Sequence, residues 1–154
     1  MDRLQFGETL VGRTYRDRQA AFGIVQHDGR IAIAAITLTH GEPPVFDLPG
    51  GGMDAGETES DALVREFGEE VGLRVGAGDL LLRATQRHIN RDGEAIDNHG
   101  AFFEATLKGE NPALKIEDDH KLVWMDPVDF IRRAHHEAQA WAVVVWLRRS
   151  ATTE

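Results

Sequence analysis

The stretch from Gly50 to Leu73, GGGMDAGETESDALVREFGEEVGL, determines the fold and the chemistry that we expect of this chain. It follows Leu48-Pro49, and its opening glycines leave main-chain groups free to approach a ligand closely. Thr58 with Asp61 three residues later is a capping-box signature, so a helix is predicted to begin near Thr58. Gly72 suits the position just past the end of that helix. The stretch therefore predicts a glycine loop followed by a helix of about four turns.

One side of the predicted helix is acidic. With angles counted from Leu63 at about 100° per residue, Glu66, Glu69 and Glu70 fall at roughly 300°, 240° and 340°. A separate apolar face comprises Leu63, Phe67, Val71 and Val64. Carboxylates at this spacing repel one another, and since no lysine lies among them, a hard divalent cation such as Mg²⁺ would neutralise them. The alternative is an ordinary solvated acidic surface.

The same stretch resembles the Nudix box, G-x5-E-x7-R-E-U-x-E-E-x-G-U, in which U is a bulky apolar residue. Every fixed position matches, from Gly51 through Glu57 and Arg65 to Gly72, and Phe67 fills the first apolar position. The preceding Leu-Pro-Gly is also similar to the family. By this motif the chain is identified as a member of the Nudix hydrolase family. The resemblance implies the Nudix fold, a mixed β-sheet sandwiched between α-helices.

The resemblance also implies an activity, the metal-dependent hydrolysis of a nucleoside diphosphate derivative. Water would attack phosphorus and cleave the diphosphate linkage of a nucleoside triphosphate, a modified nucleotide or a nucleotide sugar. Mg²⁺ or Mn²⁺ would be held by acidic side chains and one main-chain carbonyl, namely Glu66, Glu69, Glu70, Glu57 and Gly50. Arg65 would support the site, Glu57 would help to position it, and Glu69 would serve as general base or metal ligand. The expected catalytic set is therefore Glu69, Glu66, Glu70 and Arg65.

Residues outside the motif are candidates for binding the substrate. Asp119 could provide the further acidic group that many family members contribute from a loop, with Glu104 as the second choice. Arg16 and Arg91 are candidate phosphate ligands, as are Arg13, Arg18 and Arg87, because guanidinium groups suit bidentate phosphate contacts. Phe46 could stack on a base, as could Tyr15 and His88. For each of them the alternative is a surface or packing role.

The rest of the chain predicts two hairpins and a helical end. Asp28-Gly29 separates the apolar runs 21–25 and 31–36, and Asp92-Gly93 separates segments near 79–91 and 95–107. Leu122 to Met125 is a short strand, after which Asp126 and Pro127 start a helix that continues through Ala138 to Arg149. His135 and His136 would diverge on that helix and lie at the surface. Because hairpins exclude a purely parallel sheet, the fold class is α/β (α+β).

Composition limits the other functions. The length predicts one domain over residues 1–154, and the net charge of −9 argues against a protein that binds nucleic acid. There is no cysteine, no signal-peptide pattern and no membrane-length apolar run, so we expect a cytoplasmic protein with a small-molecule partner. Homodimers are frequent in the Nudix family. A catalytically silent Nudix domain, acting as a nucleotide-binding or regulatory module, is the alternative function, although such domains generally have a degraded motif.

Overall fold

The computed structural model describes residues 4–152, which form a mixed β-sheet and three α-helices. The elements in chain order are β1 (Leu4–Phe6), β2 (Arg16–His27), β3 (Arg30–Ile36), β4 (Val45–Asp47), β5 (Gly50–Gly52), α1 (Glu59–Val71), β6 (Leu73–Ile89), β7 (Ala95–Glu110), a 3₁₀ turn (Pro112–Leu114), β8 (His120–Met125), α2 (Pro127–Arg133) and α3 (Glu137–Thr152). None of these helices is long and apolar enough to cross a membrane.

Both predicted hairpins are present. β2 and β3 are antiparallel, and Asp28 and Gly29 between them have φ angles of 51° and 77°. Two successive positive φ angles are what a type I′ turn requires, which explains the Asp-Gly pair. β6 and β7 form the longer hairpin, with Gly93 at φ 83° in the connection.

The centre of the sheet is the parallel pair β2–β7, in register from Arg16 opposite Ile96 to Val25 opposite Ala105. Along its other edge β2 pairs first with β5 and then, at its end, with β3. The glycines that we expected to form a loop are thus a three-residue strand. Gly50 has φ 148°, and a Cβ there would lie 2.2 Å from the Ala21 carbonyl oxygen, so only glycine allows this strand to approach β2 so closely.

Helices cover both faces of the sheet, as the Nudix resemblance implied. Alternate residues of β2 point to opposite faces. Phe22 and Ile24 pack in the core under α2 and α3, while Ala21 and Val25 pack in the core under α1. The architecture is therefore a mixed sheet sandwiched between helices.

Helix α1 has the predicted boundaries. The Thr58 hydroxyl accepts from the Asp61 N–H, the Asp61 carboxylate accepts from the Thr58 N–H, and Gly72 ends the helix in the left-handed conformation. Two predictions about its faces were wrong. Val64 is 42% exposed, and Glu70, which we expected on an exposed acidic face, is only 7% exposed. On the helical wheel Glu70 falls about 20° from Leu63, which lies at one edge of the apolar face. Glu70 therefore turns inward with that face.

The helical end is interrupted rather than continuous. Asp126 caps α2 through hydrogen bonds from Val128 and Asp129, as predicted, but α2 ends at Arg133. Residues 134–136 instead contact β4, where the His135 N–H donates to the Phe46 carbonyl at 3.0 Å. The helix does not continue here because this main-chain group is paired with the sheet edge.

Two buried glutamines attach the start of α3 to the sheet. The Gln139 side chain accepts a hydrogen bond of 2.7 Å from the Leu48 N–H. The Gln86 side chain, on β6, accepts one of 3.0 Å from the Ala138 N–H. Since both glutamines are buried, these bonds fix the break between α2 and α3 beside β4 and β5.

Candidate active site

A cavity of about 320 Å³ lies where α1, β5, the end of β4 and the break between α2 and α3 meet. Its acidic residues are Asp47, Glu66, Glu70 and Glu117. Its other polar residues include Arg18, Asn98, His88, His120 and His136. The wall thus combines several carboxylates with three imidazoles and a single guanidinium.

Arg65 holds three glutamates of the motif together. It donates to both oxygens of Glu57, at 2.8 and 2.9 Å, to Glu66 at 2.9 Å and to Glu69 at 3.0 Å. Its remaining bond, of 3.0 Å, reaches the Gly52 carbonyl on β5. The hydrogen bond from Arg65 is the main reason that the pKa of Glu57 falls to about 2. Arg65 therefore fixes α1 to the glycine strand and orients Glu66 and Glu69.

Glu57 is already fully engaged by the protein. Arg65 binds both of its oxygens, and the Asp54 N–H donates to Oε1 at 2.6 Å. This geometry suits a residue that positions Arg65 better than one that binds a metal directly.

Glu70 is in the opposite situation. Burial, and then the charge of Glu66, raise the pKa of Glu70 well above its usual value. Among the described residues its one ion-pair partner is His120, with Nε2 3.8 Å from Glu70 Oε1, and the Gly50 N–H approaches Oε2 at 3.4 Å. A Cβ on Gly51 would lie 2.9 Å from the Glu66 carboxyl carbon, so the glycine strand also lies directly against that carboxylate.

The segment after the 3₁₀ turn brings further polar groups to α1. The Glu69 carbonyl accepts from the Ile116 and Glu117 N–H groups at 2.9 and 3.1 Å. This contact places Glu117 and His120 in the cavity wall. Asp119 lies behind His120, with 2.7 Å between its Oδ1 and the imidazole Nδ1, so it reaches the site through His120.

A second group, which we call the Asp47–histidine cluster, comprises Asp47, His88, His135 and His136. The prediction that the two adjacent histidines diverge on a helix was wrong, because their rings pack 4.1 Å apart in the break between α2 and α3. His135 is exposed, as expected, and His136 is half-buried. His136 also packs against His88, at 4.8 Å between ring centroids. Burial raises the pKa of Asp47 to about 7 and is the main reason that the pKa of His136 falls to about 3.

Most of the substrate-binding candidates lie away from the cavity. Arg16 pairs with Glu94 at 3.4 Å, and Arg91 contacts Asp119 at 3.4 Å. Phe46 packs at the edge of the core, with the Arg133 guanidinium 4.4 Å above its ring.

Of two further candidates, one lies outside the cavity and the other lines it. Glu104, the second choice for the acidic group, accepts from the Trp146 indole at 3.2 Å, outside the cavity wall. Arg18 does line the cavity, where it donates to Asn98 at 3.3 Å. Of the arginines considered, Arg18 is the one in this wall.

Asp47, Asn98 and Gln139 line the cavity but were not among the residues expected from the sequence. Asp47 lies three residues before Gly50, so its proximity to the motif was one usable signal. No local pattern marks Asn98 or Gln139, because pairing of distant segments brings them to the cavity.

Comparison with known proteins agrees with this architecture. The NUDIX domain model matches residues 17–147. A CTP pyrophosphohydrolase of Escherichia coli (strain K12) is 27% identical over 109 residues, which are 71% of this chain and 76% of that protein. An RNA pyrophosphohydrolase of Sphingopyxis alaskensis is 32% identical over 66 residues, 43% of this chain and 40% of that protein.

Solved structures show the same fold. A NUDIX hydrolase from Nitrosomonas europaea superimposes with a TM-score of 0.71 at 15% sequence identity, covering 86% of this chain and 90% of that one. The family model covers most of the chain, and the motif contributes β5 and α1 to the wall of the cavity. This chain belongs to the NUDIX family and is a Nudix hydrolase.

Proposed function

We propose that this chain hydrolyses the diphosphate linkage of a cytoplasmic nucleoside triphosphate or related nucleotide, with Mg²⁺ or Mn²⁺ held by Glu66, Glu69 and Glu70. The observation that carries this proposal is Glu70, a buried carboxyl group next to Glu66 in a cavity of about 320 Å³. A cavity of this size is within the range of small-molecule sites.

The residues present fit a hard divalent cation. A buried carboxylate without a cation is costly, and the raised pKa of Glu70 expresses that cost. Glu66 adds a second carboxylate in the same wall. The Gly50 main chain lies beside Glu70, and Gly51 lies against Glu66. Oxygen ligands of this kind, completed by substrate phosphates, are typical of Mg²⁺ sites. A bound cation would neutralise the diphosphate and supply Lewis acidity.

The protein groups around these ligands have separate roles in the proposal. Arg65 and Glu57 are positioning residues, because their hydrogen bonds fix the orientation of Glu66 and Glu69. Glu69 remains the candidate for either ligand or general base. His120, oriented by Asp119 and facing Glu70, is a second candidate to accept the proton of the attacking water.

Arg18 is the candidate for phosphate recognition. It lines the cavity, and none of the ion pairs among residues 4–152 involves it, so its charge is available for a ligand. A guanidinium can bind two phosphate oxygens at once. The name of the Escherichia coli relative makes cytidine triphosphates the first substrates to test.

The proposal is tested by a phosphate- and pyrophosphate-release screen over nucleoside triphosphates, dinucleotides and nucleotide sugars. The screen runs with Mg²⁺, with Mn²⁺ and with EDTA, and Glu70→Gln serves as the blank. Turnover of one substrate group that disappears in EDTA and in the variant is the expected result. If the folded protein hydrolyses none of these substrates, the proposal is contradicted and a nucleotide-binding role is supported.

A further inference from the structure

Two buried polar atoms without hydrogen-bond partners lie in the Asp47–histidine cluster. Among the side-chain nitrogen and oxygen atoms of the non-exposed residues from 4 to 152, only Asp47 Oδ1 and His88 Nδ1 have less than 1 Å² of exposed surface and no hydrogen-bond partner. Buried polar atoms in proteins are nearly always paired, so each such atom calls for an explanation. Their occurrence at one place points to a ligand that both atoms can bind.

The cluster is held in place by the main chain. The His135 N–H donates to the Phe46 carbonyl at 3.0 Å, and Phe46 also forms a parallel bridge with Ala134. The neighbouring hydrogen bond from Leu48 to Gln139 fixes the chain on the other side of Asp47. The carboxylate and the two adjacent imidazoles are therefore preorganised by backbone contacts.

The distances within the cluster suit a shared cation. Asp47 Oδ1 lies 3.7 Å from His135 Nδ1, which is too far for a hydrogen bond. Two ligands of one tetrahedral Zn²⁺, with bonds of about 2.0 Å, lie roughly 3.3 Å apart. One ligand atom each from Asp47, His135 and His136 lie within 4.8 Å of one another, and the His88 ring packs on His136. Small side-chain rotations would bring these atoms to metal-binding distances.

We propose that Asp47, His135 and His136, completed by His88, form a site for Zn²⁺ or a chemically similar divalent cation. Imidazole nitrogens with one carboxylate favour zinc, nickel or cobalt, whereas an all-oxygen set such as the motif glutamates favours magnesium or manganese. The proposal goes beyond the hydrolytic function and does not depend on it. The two sites are neighbours, because Asp47, His88 and His136 line the same cavity as Glu66 and Glu70.

The test is calorimetric titration of the whole protein with Zn²⁺ in the presence of excess Mg²⁺, repeated with Co²⁺ and monitored by visible absorption. We expect one equivalent of Zn²⁺ to bind wild-type protein. In His135→Ala and in His136→Ala the dissociation constant should rise at least about 100-fold, beyond the range produced by loss of a residue that only supports a ligand. His27→Ala, which removes an exposed histidine that lies against Trp124 and lines no cavity with the cluster, should bind as tightly as wild type.

The double variant Glu66→Gln/Glu70→Gln distinguishes the two sites. We expect it to retain Zn²⁺ binding and the cobalt absorption, because it leaves all four proposed ligands intact. Loss of binding in this variant, unchanged binding in the histidine variants, or no binding to folded wild-type protein would each overturn the proposal. Circular dichroism in EDTA establishes that each variant is folded. His135→Gln and His136→Gln, which preserve more of the side-chain volume, replace any alanine variant that is not.

Discussion

The acidic residues around α1 fall into two regions with opposite electrostatics. On the arginine side, Glu57 and Glu69 contact Arg65, and the pKa of Glu57 falls to about 2. On the cavity side, Glu70 has no arginine partner among the described residues, and burial raises its pKa well above the usual value. Both regions belong to one motif of the sequence, so the difference arises from what the fold places beside each carboxylate.

This comparison shows where the protein supplies its own positive charge and where it does not. Arg65 neutralises the Glu57 and Glu69 carboxylates, and its hydrogen bond to the Gly52 carbonyl links them to β5. Of the carboxylates facing the cavity, Glu66 also contacts Arg65, whereas Glu70 has no arginine partner among the described residues. A buried carboxylate without an arginine partner is the arrangement expected where a cation binds. Substitutions in the two regions should therefore have different effects.

The largest effect is expected for Glu70→Gln on the cavity side. The substitution removes a proposed metal ligand while preserving size, so kcat/KM should fall by more than about 100-fold, beyond the range for residues that support ligands. Steady-state kinetics at saturating Mg²⁺ measures this. Glu104→Gln is the matched control, because Glu104 accepts from Trp146 away from the cavity and its replacement keeps an acceptor. Equal activity of the two variants would refute the role given to Glu70.

Arg65→Lys should have the next largest effect, on the arginine side. Lysine keeps the charge but lacks the planar fork that binds Glu57, Glu66 and Glu69 together. We expect about a 10- to 100-fold drop in kcat, with a weaker apparent affinity for Mg²⁺, as for other residues that orient metal ligands. Arg83→Lys, at the exposed pair with Glu59, controls for the substitution itself. A normal Mg²⁺ dependence in Arg65→Lys would show that Arg65 does not position the ligands.

Arg18→Ala tests whether the Arg18 guanidinium in the cavity binds the substrate. Loss of one charge-assisted hydrogen bond is worth about 1.5–3 kcal/mol, so KM for the nucleotide should rise roughly tenfold or more, with a smaller change in kcat. Arg16→Ala, two residues away on the same strand but paired with Glu94, should stay within about twofold of wild type. Kinetics of both variants with one nucleotide decides this, and a larger effect at Arg16 would reverse the assignment.

The smallest effect concerns stability without metal. A carboxyl group with a raised pKa stays protonated in the folded state after the unfolded chain has lost that proton, so stability falls as pH rises through the folded pKa. The pKa values of Glu70 and Asp47, the latter about 7, are both raised. In EDTA the melting temperature of wild type should therefore fall as pH rises from about 6.5 through the raised pKa values of these two groups.

Histidines do not obscure this trend in that window. The pKa values of His88, His135 and His136 are lowered, chiefly by burial, so they destabilise the fold only as pH falls below the ordinary value of about 6.5. Glu70→Gln should flatten the slope and melt about 2–4 °C above wild type near pH 8 in EDTA. Added Mg²⁺ should stabilise wild type and not the variant. A variant that melts below wild type in EDTA would show that the Glu70 carboxyl group stabilises the metal-free fold.

The parts of the fold that depend on short sequence spacing could be predicted. The capping box of α1, its terminal glycine and the two Asp-Gly hairpins are encoded within a few residues each, and all are present. The mixed sheet between helices followed from the family resemblance. The inward orientation of Glu70 could also have been predicted from the helical wheel. We instead expected all three glutamates to form one exposed, charged face.

Contacts between distant segments could not be predicted. The glycine strand β5 exists because β2 pairs with it, and the Asp47–histidine cluster exists because residues 134–136 bond to β4. Such pairings depend on the packing of the whole sheet, so no local sequence pattern predicts them. For the same reason Arg18 could not be separated from Arg16 and Arg91 before the strands were placed.

The two glutamines at the start of α3 have a consequence for the motions of this protein. Gln139 joins that helix to the segment before β5, and Gln86 joins it to β6. If either bond breaks, a buried amide loses its partner, so separation of the helix from the sheet should be cooperative rather than gradual. The backbone amides of Leu48 and Ala138 should therefore exchange with deuterium at similar rates. Exchange of both amides reports one opening event, in which α3 separates from the sheet beside the cavity. Bound nucleotide should slow the exchange of both amides together.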